Sequence, residues 1–542
     1  MSIYKRYCDE EFDSNGILKD FCIHYPDNYN FAYDVVDVIA EEEPDRRAIV
    51  WCNTEGEERI FTFGELKTLS NKAAHVLLDA GIRKGDKVML MLKRHYEYWI
   101  LTLALHKIGA VLIPVTHMLT VCDIVYRIKS ADIKAVVCTP QESVRKKLLE
   151  AVKESGVYTD LWTVQADCEG FKNMTAAIEN APGELRRIET KAHEPMVLYF
   201  TSGTTGYPKG VIHDHTYTLA HVITAKYWQQ TVDGGLHFTV AETGWAKASW
   251  GKIYGQWLTG SAVMVFDFDN FDPKQLTTII NKYNVTTFCA PPTVYRYLVK
   301  KGVAKMPGLK HATTAGEALN PEVFKKFKEA TGIELMEGFG QTESTLILGN
   351  LKGGTPKPGA MGKETPLYHV EVVREDGSIA DVGEVGELVV VPHCNEKQIG
   401  IFCGYLDNEA LYRYVWRGGI YHTGDTVWKD EDGYFWFNGR IDDVIKTGGF
   451  RVGPFEIENV VMQHPAVLEC SAIGVADTLR GQAIKVFIHL APGYEASSDL
   501  QKEIKEFCNS QLAEYKWIRL IEFVDEMPKT ISGKIKKTDL RE

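Results

Sequence analysis

Ten consecutive residues, Thr201-Ser202-Gly203-Thr204-Thr205-Gly206-Tyr207-Pro208-Lys209-Gly210, gather hydroxyls, glycines and an ammonium directly after the apolar run Val197 to Phe200. Glycine lets the backbone approach an anion closely and adopt positive φ. Successive N–H groups, the hydroxyls of Thr201, Ser202, Thr204 and Thr205, and the Lys209 ammonium can then surround phosphate oxygens. No G-x-x-x-x-G-K-[ST] frame fits the stretch, so it is not the lysine loop of P-loop nucleotidases. Alone, such a loop reads equally well as a solvated turn, and the remainder of the chain has to decide.

Five further segments follow in order: Gly316-Glu317-Ala318-Leu319, Glu337-Gly338-Phe339-Gly340-Gln341-Thr342-Glu343, Tyr421-His422-Thr423-Gly424-Asp425, Gly439-Arg440-Ile441-Asp442-Asp443 and Pro528-Lys529-Thr530-Ile531-Ser532-Gly533-Lys534. Together with the glycine-rich loop they resemble the adenylate-forming superfamily of acyl-CoA synthetases, peptide-synthetase adenylation domains and luciferases. The resemblance covers nearly the whole chain. Glu242-Thr243-Gly244-Trp245-Ala246-Lys247-Ala248-Ser249-Trp250-Gly251 is most similar to the medium-chain acyl-CoA synthetases.

The chemistry so implied is activation of a carboxylate, a poor acyl donor until it becomes a mixed anhydride with phosphate. That step needs a phosphate cradle, a divalent cation and a cation near the transferring centre, since nucleotidyl transfer rests on positioning and electrostatics. By resemblance the loop and Lys209 hold phosphate, Thr342 helps position it, and Glu343 is the Mg2+ carboxylate. Gly316, Glu317, Glu337, Gly338, Phe339 and Gln341 belong to the ATP site, where Asp425 meets the ribose hydroxyls together with Arg440; two carboxylate oxygens suit a vicinal diol. Arg451 resembles an arginine that meets phosphate. Ala318 stands where many relatives have proline. Lys534 is the catalytic cation implied by the P-K-T-x-S-G-K frame, without which it reads as one more solvated lysine beside Lys529, Lys536 and Lys537.

The same resemblance implies ATP and CoA as co-substrates and a C-terminal domain that pivots at Asp442. Such a pivot would carry Lys534 out of the site and bring Gly448, Gly449 and Phe450 toward CoA. Trp245 would gate the acyl pocket and Trp250 would wall it; Lys247 either lines that pocket or faces solvent. Acetate-specialised relatives carry two tryptophans where this chain has Phe339-Gly340, so the expected acid is longer than acetate, apolar, and short to medium, branched or aromatic. Two other readings stay open: an adenylation enzyme that loads a carrier-protein thiol, and a non-catalytic nucleotide or acyl sensor. A sensor should have lost Lys534, Glu343 or Asp425, and all three are present.

Positioning these residues requires more than one hydrophobic core, because 542 residues exceed what one core ordinarily supports. Apolar runs at Val88 to Leu92, Val111 to Val115, Ala135 to Cys138, Val263 to Phe266 and Thr286 to Ala290 read as strands. They alternate with amphipathic stretches such as Glu65 to Ala80 and Pro321 to Thr331, which indicates α/β layers with parallel strands. The expected fold class is α/β: a large multi-layer N-terminal domain over 1–440, with α/β sheets and a small β subdomain, and a smaller mobile α+β domain over 441–542. In the latter, Pro454 to His464 and Leu500 to Leu512 read as helices, Leu468 to Val475 and Ile484 to Leu490 as strands.

With 61 basic and 73 acidic residues the formal charge is −12, which disfavours nonspecific attraction to nucleic acid or anionic membrane. The 11 cysteines contain no C-x-x-C pair, so neither a zinc site nor a disulfide framework is indicated. No export or transit pattern is legible near Met1, and Leu540-Arg541-Glu542 carries no peroxisomal address. The expected location is the cytoplasm. The expected partners are small molecules, with a homo-oligomer and enzymes that acylate or deacylate Lys534 as further candidates.

Overall fold

Alternation of apolar runs with amphipathic stretches produces the layers expected of it. The computed structural model describes residues 2–201, 208–317, 319–392, 398–448, 450–530 and 534–541, with the Arg451 side chain left aside. The described residues of 1–203, 207–369 and 393–414 form one compact unit, and those of 370–392 and 415–542 form another.

Two large sheets build the first unit. One has eight strands, in the order Gly404–Tyr405, Lys209–Asp214, Pro195–Thr201, Val111–Pro114, Lys87–Met91, Ile133–Cys138, Asp160–Thr163 and Lys172–Asn173. From Pro195–Thr201 outward its neighbours run parallel, and Lys209–Asp214 folds back antiparallel on Pro195–Thr201. The other sheet has nine strands, with Leu335–Phe339, His311–Thr314, Thr287–Ala290, Leu236–Thr239, Ala262–Asp267 and Arg47–Asn53 adjacent in that order and parallel. Parallel strands covered by helices on both faces are apolar throughout rather than alternating, and Val88, Met89, Leu90 and Met91 are all fully buried.

The helices start and stop where local chemistry dictates. Thr62 caps Phe63–Asp79 by accepting from the Glu65 N–H at 3.2 Å, while Glu65 accepts the Thr62 N–H at 2.8 Å. Pro321–Thr331 begins with proline, is capped by Asn320, and ends at Gly332, whose φ of 76° is the left-handed conformation glycine tolerates. The apolar stretch from Ile100 onward is a core helix, Glu97–Ile108, leading into the strand Val111–Pro114. Among the described residues no helix is long and apolar enough to cross a membrane.

The second unit contains a four-stranded sheet, His369–Val373, Gly386–Val391, Tyr421–Lys429 and Phe435–Arg440. It also contains a five-stranded one in which Val467–Asp477 and Gly481–Leu490 form a long antiparallel pair. Helices Pro454–Val461 and Ser498–Asn509 cover that pair, burying Ile457, Val461, Ile504 and Cys508 with Ala472, Ile484, Val486 and Ile488. An antiparallel hairpin at the start of the chain, Cys8–Phe12 with Leu18–Ile23, has no counterpart in the sequence reading. Its Glu10 accepts hydrogen bonds from Lys226 at 2.7 Å and Tyr227 at 2.5 Å.

Candidate active site

The glycine-rich loop joins two strands of one hairpin. Thr201 ends Pro195–Thr201 and pairs with Lys209, the first residue of the returning strand. Ser202, Gly203, Thr204, Thr205 and Gly206 lie outside the described residues. On the far side of the returning strand Tyr405 pairs with Val211, and the Lys209 ammonium lies 5.9 Å from the centre of the Tyr405 ring. Gly210 permits this layering, because a Cβ there would stand 2.8 Å from the Leu406 Cβ and 3.0 Å from Leu198.

The turn after Leu335–Phe339 carries Gln341, Thr342, Glu343 and Ser344, and four contacts fix it. The Gln341 N–H donates to Ser344 Oγ at 3.0 Å, His213 Nε2 donates to the Thr342 carbonyl at 2.7 Å, and the Phe402 N–H donates to the Glu343 carbonyl at 2.8 Å. The Tyr405 hydroxyl donates to Glu343 Oε1 at 2.8 Å. Glu343 and Lys209 are thereby gathered around one residue, Tyr405, which the sequence reading did not single out. His213, fully buried and stacked on Tyr217 at 4.0 Å, was also missed.

Glu343 fits a magnesium role by the chemistry of its donors. Mg2+ favours oxygen ligands and is held by one or two carboxylates together with substrate phosphates. Here a single partly buried carboxylate has one oxygen oriented by a phenol, and no cluster of three or more potential ligands occurs among the described residues.

Glu337 is the most perturbed acid of the motif. It is 3% exposed, its Oε1 accepts the Leu319 N–H at 3.1 Å, and its Oε2 has no partner among the described residues. Burial pushes its pKa up to about 8 against the modest opposing pull of that N–H, so the group is mainly a neutral acid at pH 7. Gly338 beside it leaves room for Trp228, whose ring a Cβ would approach at 2.8 Å. Phe339 ends the strand, partly exposed, paired with Leu348. Gly316 adopts φ 101° with open space around it, so its backbone rather than its size needs glycine. Glu317 accepts from Thr293 Oγ1 at 3.0 Å and Arg296 at 3.4 Å. Ala318 lies outside the described residues.

Lys247 turns inward: its Nζ donates to the Ala315 carbonyl at 2.7 Å, joining the short helix Lys247–Gly251 to the backbone that precedes Gly316. Trp245 is half-buried and Trp250 is buried, its carbonyl accepting from Gln229 at 3.1 Å and Gln256 at 3.0 Å. A Cβ on Gly340 would run into the Trp250 ring and the Thr345 carbonyl, so the space that a glycine frees at 340 is occupied by the Trp250 indole.

The same segment, Glu242 to Gly251, opens on a buried charged group to which the sequence reading gave no role, and a buried lysine follows it. Burial works against the Glu242 carboxylate, but hydrogen bonding to His117 at 3.1 Å, the charges of His117 and Arg94, and the Thr116 hydroxyl at 3.0 Å hold its pKa below the usual range. Lys252 is 1% exposed; burial, and then the Arg94 charge, push its pKa down to about 7 against the pull of Asp267 and Glu242.

In the second unit Asp425, almost fully buried, lies opposite Arg440 on the adjacent strand and meets it at 3.0 Å. The Asp425 N–H donates to Thr423 Oγ1 at 3.1 Å, and that hydroxyl donates to the Leu388 carbonyl at 2.7 Å. Asp442 is exposed; Arg541 reaches its carbonyl at 3.3 Å and the Asp443 carboxylate at 2.6 Å. Gly448 has φ 58°, Gly449 lies outside the described residues, and Phe450, 52% exposed, stacks on Tyr515 at 4.3 Å. Arg451 pairs with Lys446 along the backbone, but its side chain lies outside the described set. Lys534 is exposed, its N–H donating to Thr530 Oγ1 at 3.2 Å and its carbonyl accepting the Thr530 N–H at 2.7 Å.

Comparison with known proteins places these residues in context. The sequence profile of the AMP-binding enzyme matches residues 36–405, and that of the AMP-binding enzyme C-terminal domain matches residues 456–534. Acyl-coenzyme A synthetase ACSM3, mitochondrial, of Rattus norvegicus is 37% identical over 550 residues, covering 99% of this chain and 94% of that protein. Acyl-coenzyme A synthetase ACSM4, mitochondrial, of Mus musculus is 38% identical over 529 residues, covering 95% of this chain and 91% of that protein. Among solved structures, the anthranilate CoA ligase AuaEII in complex with anthranoyl-AMP superposes with a TM-score of 0.86 at 27% identity, covering 95% of this chain and 97% of that one.

Proposed function

The chain belongs to the AMP-binding enzyme family, and we propose that it is an ATP- and magnesium-dependent carboxylate:CoA ligase that forms AMP and pyrophosphate through an acyl-adenylate. The observation that carries this reading is the turn Gln341 to Ser344, where Glu343 is oriented by Tyr405 beside Lys209 of the phosphate hairpin.

In this reading the acid's carboxylate attacks the α-phosphorus of ATP, forming the acyl–phosphate bond and releasing pyrophosphate. The loop 201–206 and Lys209 hold the departing phosphates, Thr342 positions them, and Lys534 meets the negative charge that develops at the α-phosphate. Glu343, together with the phosphates, would hold magnesium, which would supply charge neutralisation at the leaving group. Gly316, Glu317 and Phe339 border adenine, Glu337, Gly338 and Gln341 complete the ATP site, and Asp425 with Arg440 meets the ribose. Residues 1–440 act as the adenylating part and 441–542 as a lid that pivots at Asp442, withdrawing Lys534 while Gly448, Gly449 and Phe450 approach CoA. Arg451 meets phosphate.

The acid is apolar and longer than acetate. The names of the ACSM3 and ACSM4 relatives and of the anthranilate ligase agree with an acyl-CoA product. In this reading Trp250, packed against Gly340 where a larger residue would collide with its ring, is the wall of the acyl cavity behind the Trp245 gate. Lys247 supports the backbone before Gly316 instead of facing solvent. No disulfide joins the ten cysteines among the described residues, which suits a reducing compartment, and the cytoplasm is our proposed one. Lysine acylation at Lys534 and a homo-oligomer remain further proposals.

Mass spectrometry on reactions containing ATP, magnesium and a medium-chain or aromatic acid tests the reading. Acyl-AMP without CoA and acyl-CoA with it are expected. Acyl-AMP that never transfers to CoA would favour loading of a carrier protein, and neither species with any acid would leave only a binding role.

A further inference from the structure

Tyr405 stands on the edge strand of the eight-stranded sheet, yet its side chain reaches the turn that follows a strand of the other sheet. Val211 pairs with Tyr405 and Ile212 with Gly404, and alternate residues share a face, so Tyr405 is the diagonal neighbour of Lys209. Its surroundings are fixed on both sides. The Leu406 N–H donates to the Gly210 carbonyl at 2.7 Å, the Cys403 N–H to the Ile212 carbonyl at 2.7 Å, and the Phe402 N–H to the Glu343 carbonyl at 2.8 Å. The five residues 402–406 therefore clamp the phosphate hairpin with one set of bonds and the Glu343 turn with another. Within that clamp Tyr405, 8% exposed and packed on Phe402 at 4.7 Å, directs its hydroxyl to Glu343 Oε1 at 2.8 Å.

We propose that Tyr405 is a positioning residue: its hydroxyl selects the Glu343 orientation in which the second carboxylate oxygen is presented to a divalent cation on the nucleotide phosphates. The proposal rests on the assignment of Glu343 as the magnesium carboxylate. A carboxylate on three rotatable bonds samples several orientations, and a phenol donor anchored in a β-ladder removes that freedom before the cation arrives. Outer partners of this kind typically change metal affinity about 10-fold or more when removed. Tyr405→Phe deletes the hydroxyl and keeps the ring that packs on Phe402 and lies beneath Lys209.

The test uses the full-length protein with ATP and magnesium but neither acid nor CoA, so that nothing turns over. ATP binding is measured calorimetrically across a magnesium series for the wild type, Tyr405→Phe, Glu343→Gln and the double variant, with melting temperatures recorded for each. Tyr405→Phe is expected to raise the magnesium concentration for half-maximal ATP affinity about 10-fold while melting within a few degrees of wild type. Glu343→Gln is expected to raise it further, and the double variant to match Glu343→Gln alone. An unchanged magnesium midpoint in Tyr405→Phe beside a shifted one in Glu343→Gln overturns the positioning role and leaves the Glu343 assignment standing. Losses that multiply in the double variant overturn it as well, since Tyr405 would then act independently of Glu343. A Glu343→Gln protein with wild-type magnesium dependence overturns the assignment on which the proposal rests.

Discussion

Replacing Glu337 by glutamine should make the protein more stable as the pH rises. The Glu337 carboxyl is fully enclosed, accepts one N–H from Leu319, and has its pKa pushed by burial from an ordinary 4.5 up to about 8. Between those two values the unfolded chain has released a proton that the folded chain retains, so folding stability falls with increasing pH, by about 1.4 kcal/mol per unit. The full effect is present below pH 4.5 and is lost through pH 8, a total on the order of 5 kcal/mol. Glutamine has the shape of the protonated acid, keeps an acceptor for the Leu319 N–H and does not titrate. The two proteins should therefore melt at similar temperatures near pH 5 and separate by several degrees near pH 8.5, with the variant higher. Because the chain has two units, the informative quantity is the difference between the proteins in matched buffers rather than an absolute unfolding free energy. Melting curves that stay parallel from pH 5 to 8.5 would refute the reasoning.

Lys252→Met should act with the opposite pH sense. The Lys252 pKa lies at about 7 in the folded chain against an ordinary 10.5, so its buried charge destabilises the fold fully below pH 7 and that burden is relieved as the pH rises toward 10.5. The variant should melt above wild type at pH 6 and approach it near pH 10; equal melting at pH 6 would contradict the burial argument. Gly340→Ala should cost about 1–3 kcal/mol by pressing a methyl group against Trp250 and the Thr345 carbonyl, and Trp250→Leu in the same chain should recover part of that cost and shift preference toward bulkier acids, as melting and acid-panel assays would show. Lys534→Ala should lower acyl-adenylate formation by about 10²- to 10³-fold while sparing thioester formation from supplied acyl-adenylate; equal loss in both half-reactions would exclude its assigned role.

The parallel strands and their helices were legible because burial on both faces forces unbroken apolar runs, as at Val88 to Leu92, and because Pro321 and Gly332 punctuate a helix by backbone chemistry alone. The motif residues Thr342, Glu343, Asp425 and Arg440 were legible as types at fixed spacing, and the strand register sets Asp425 opposite Arg440. Tyr405 was not legible: a Gly-Tyr dipeptide has no pattern of its own, and its meaning arises only when residues 62 positions apart are brought together. The same holds for His213 beneath the Thr342 carbonyl and for Lys252, whose burial no local periodicity announces. The N-terminal hairpin was missed because Cys8–Phe12 is short and mostly polar, and its fit depends on Lys226 and Tyr227 far along the chain.

Pyrophosphate release, measured with ATP, magnesium and acids from acetate through branched and medium-chain acids to benzoate, each with and without CoA, tests the central claim most directly. Sustained release that requires both an acid longer than acetate and CoA is the expected result. Release that is indifferent to CoA, or none with any acid, would contradict the assignment of a carboxylate:CoA ligase.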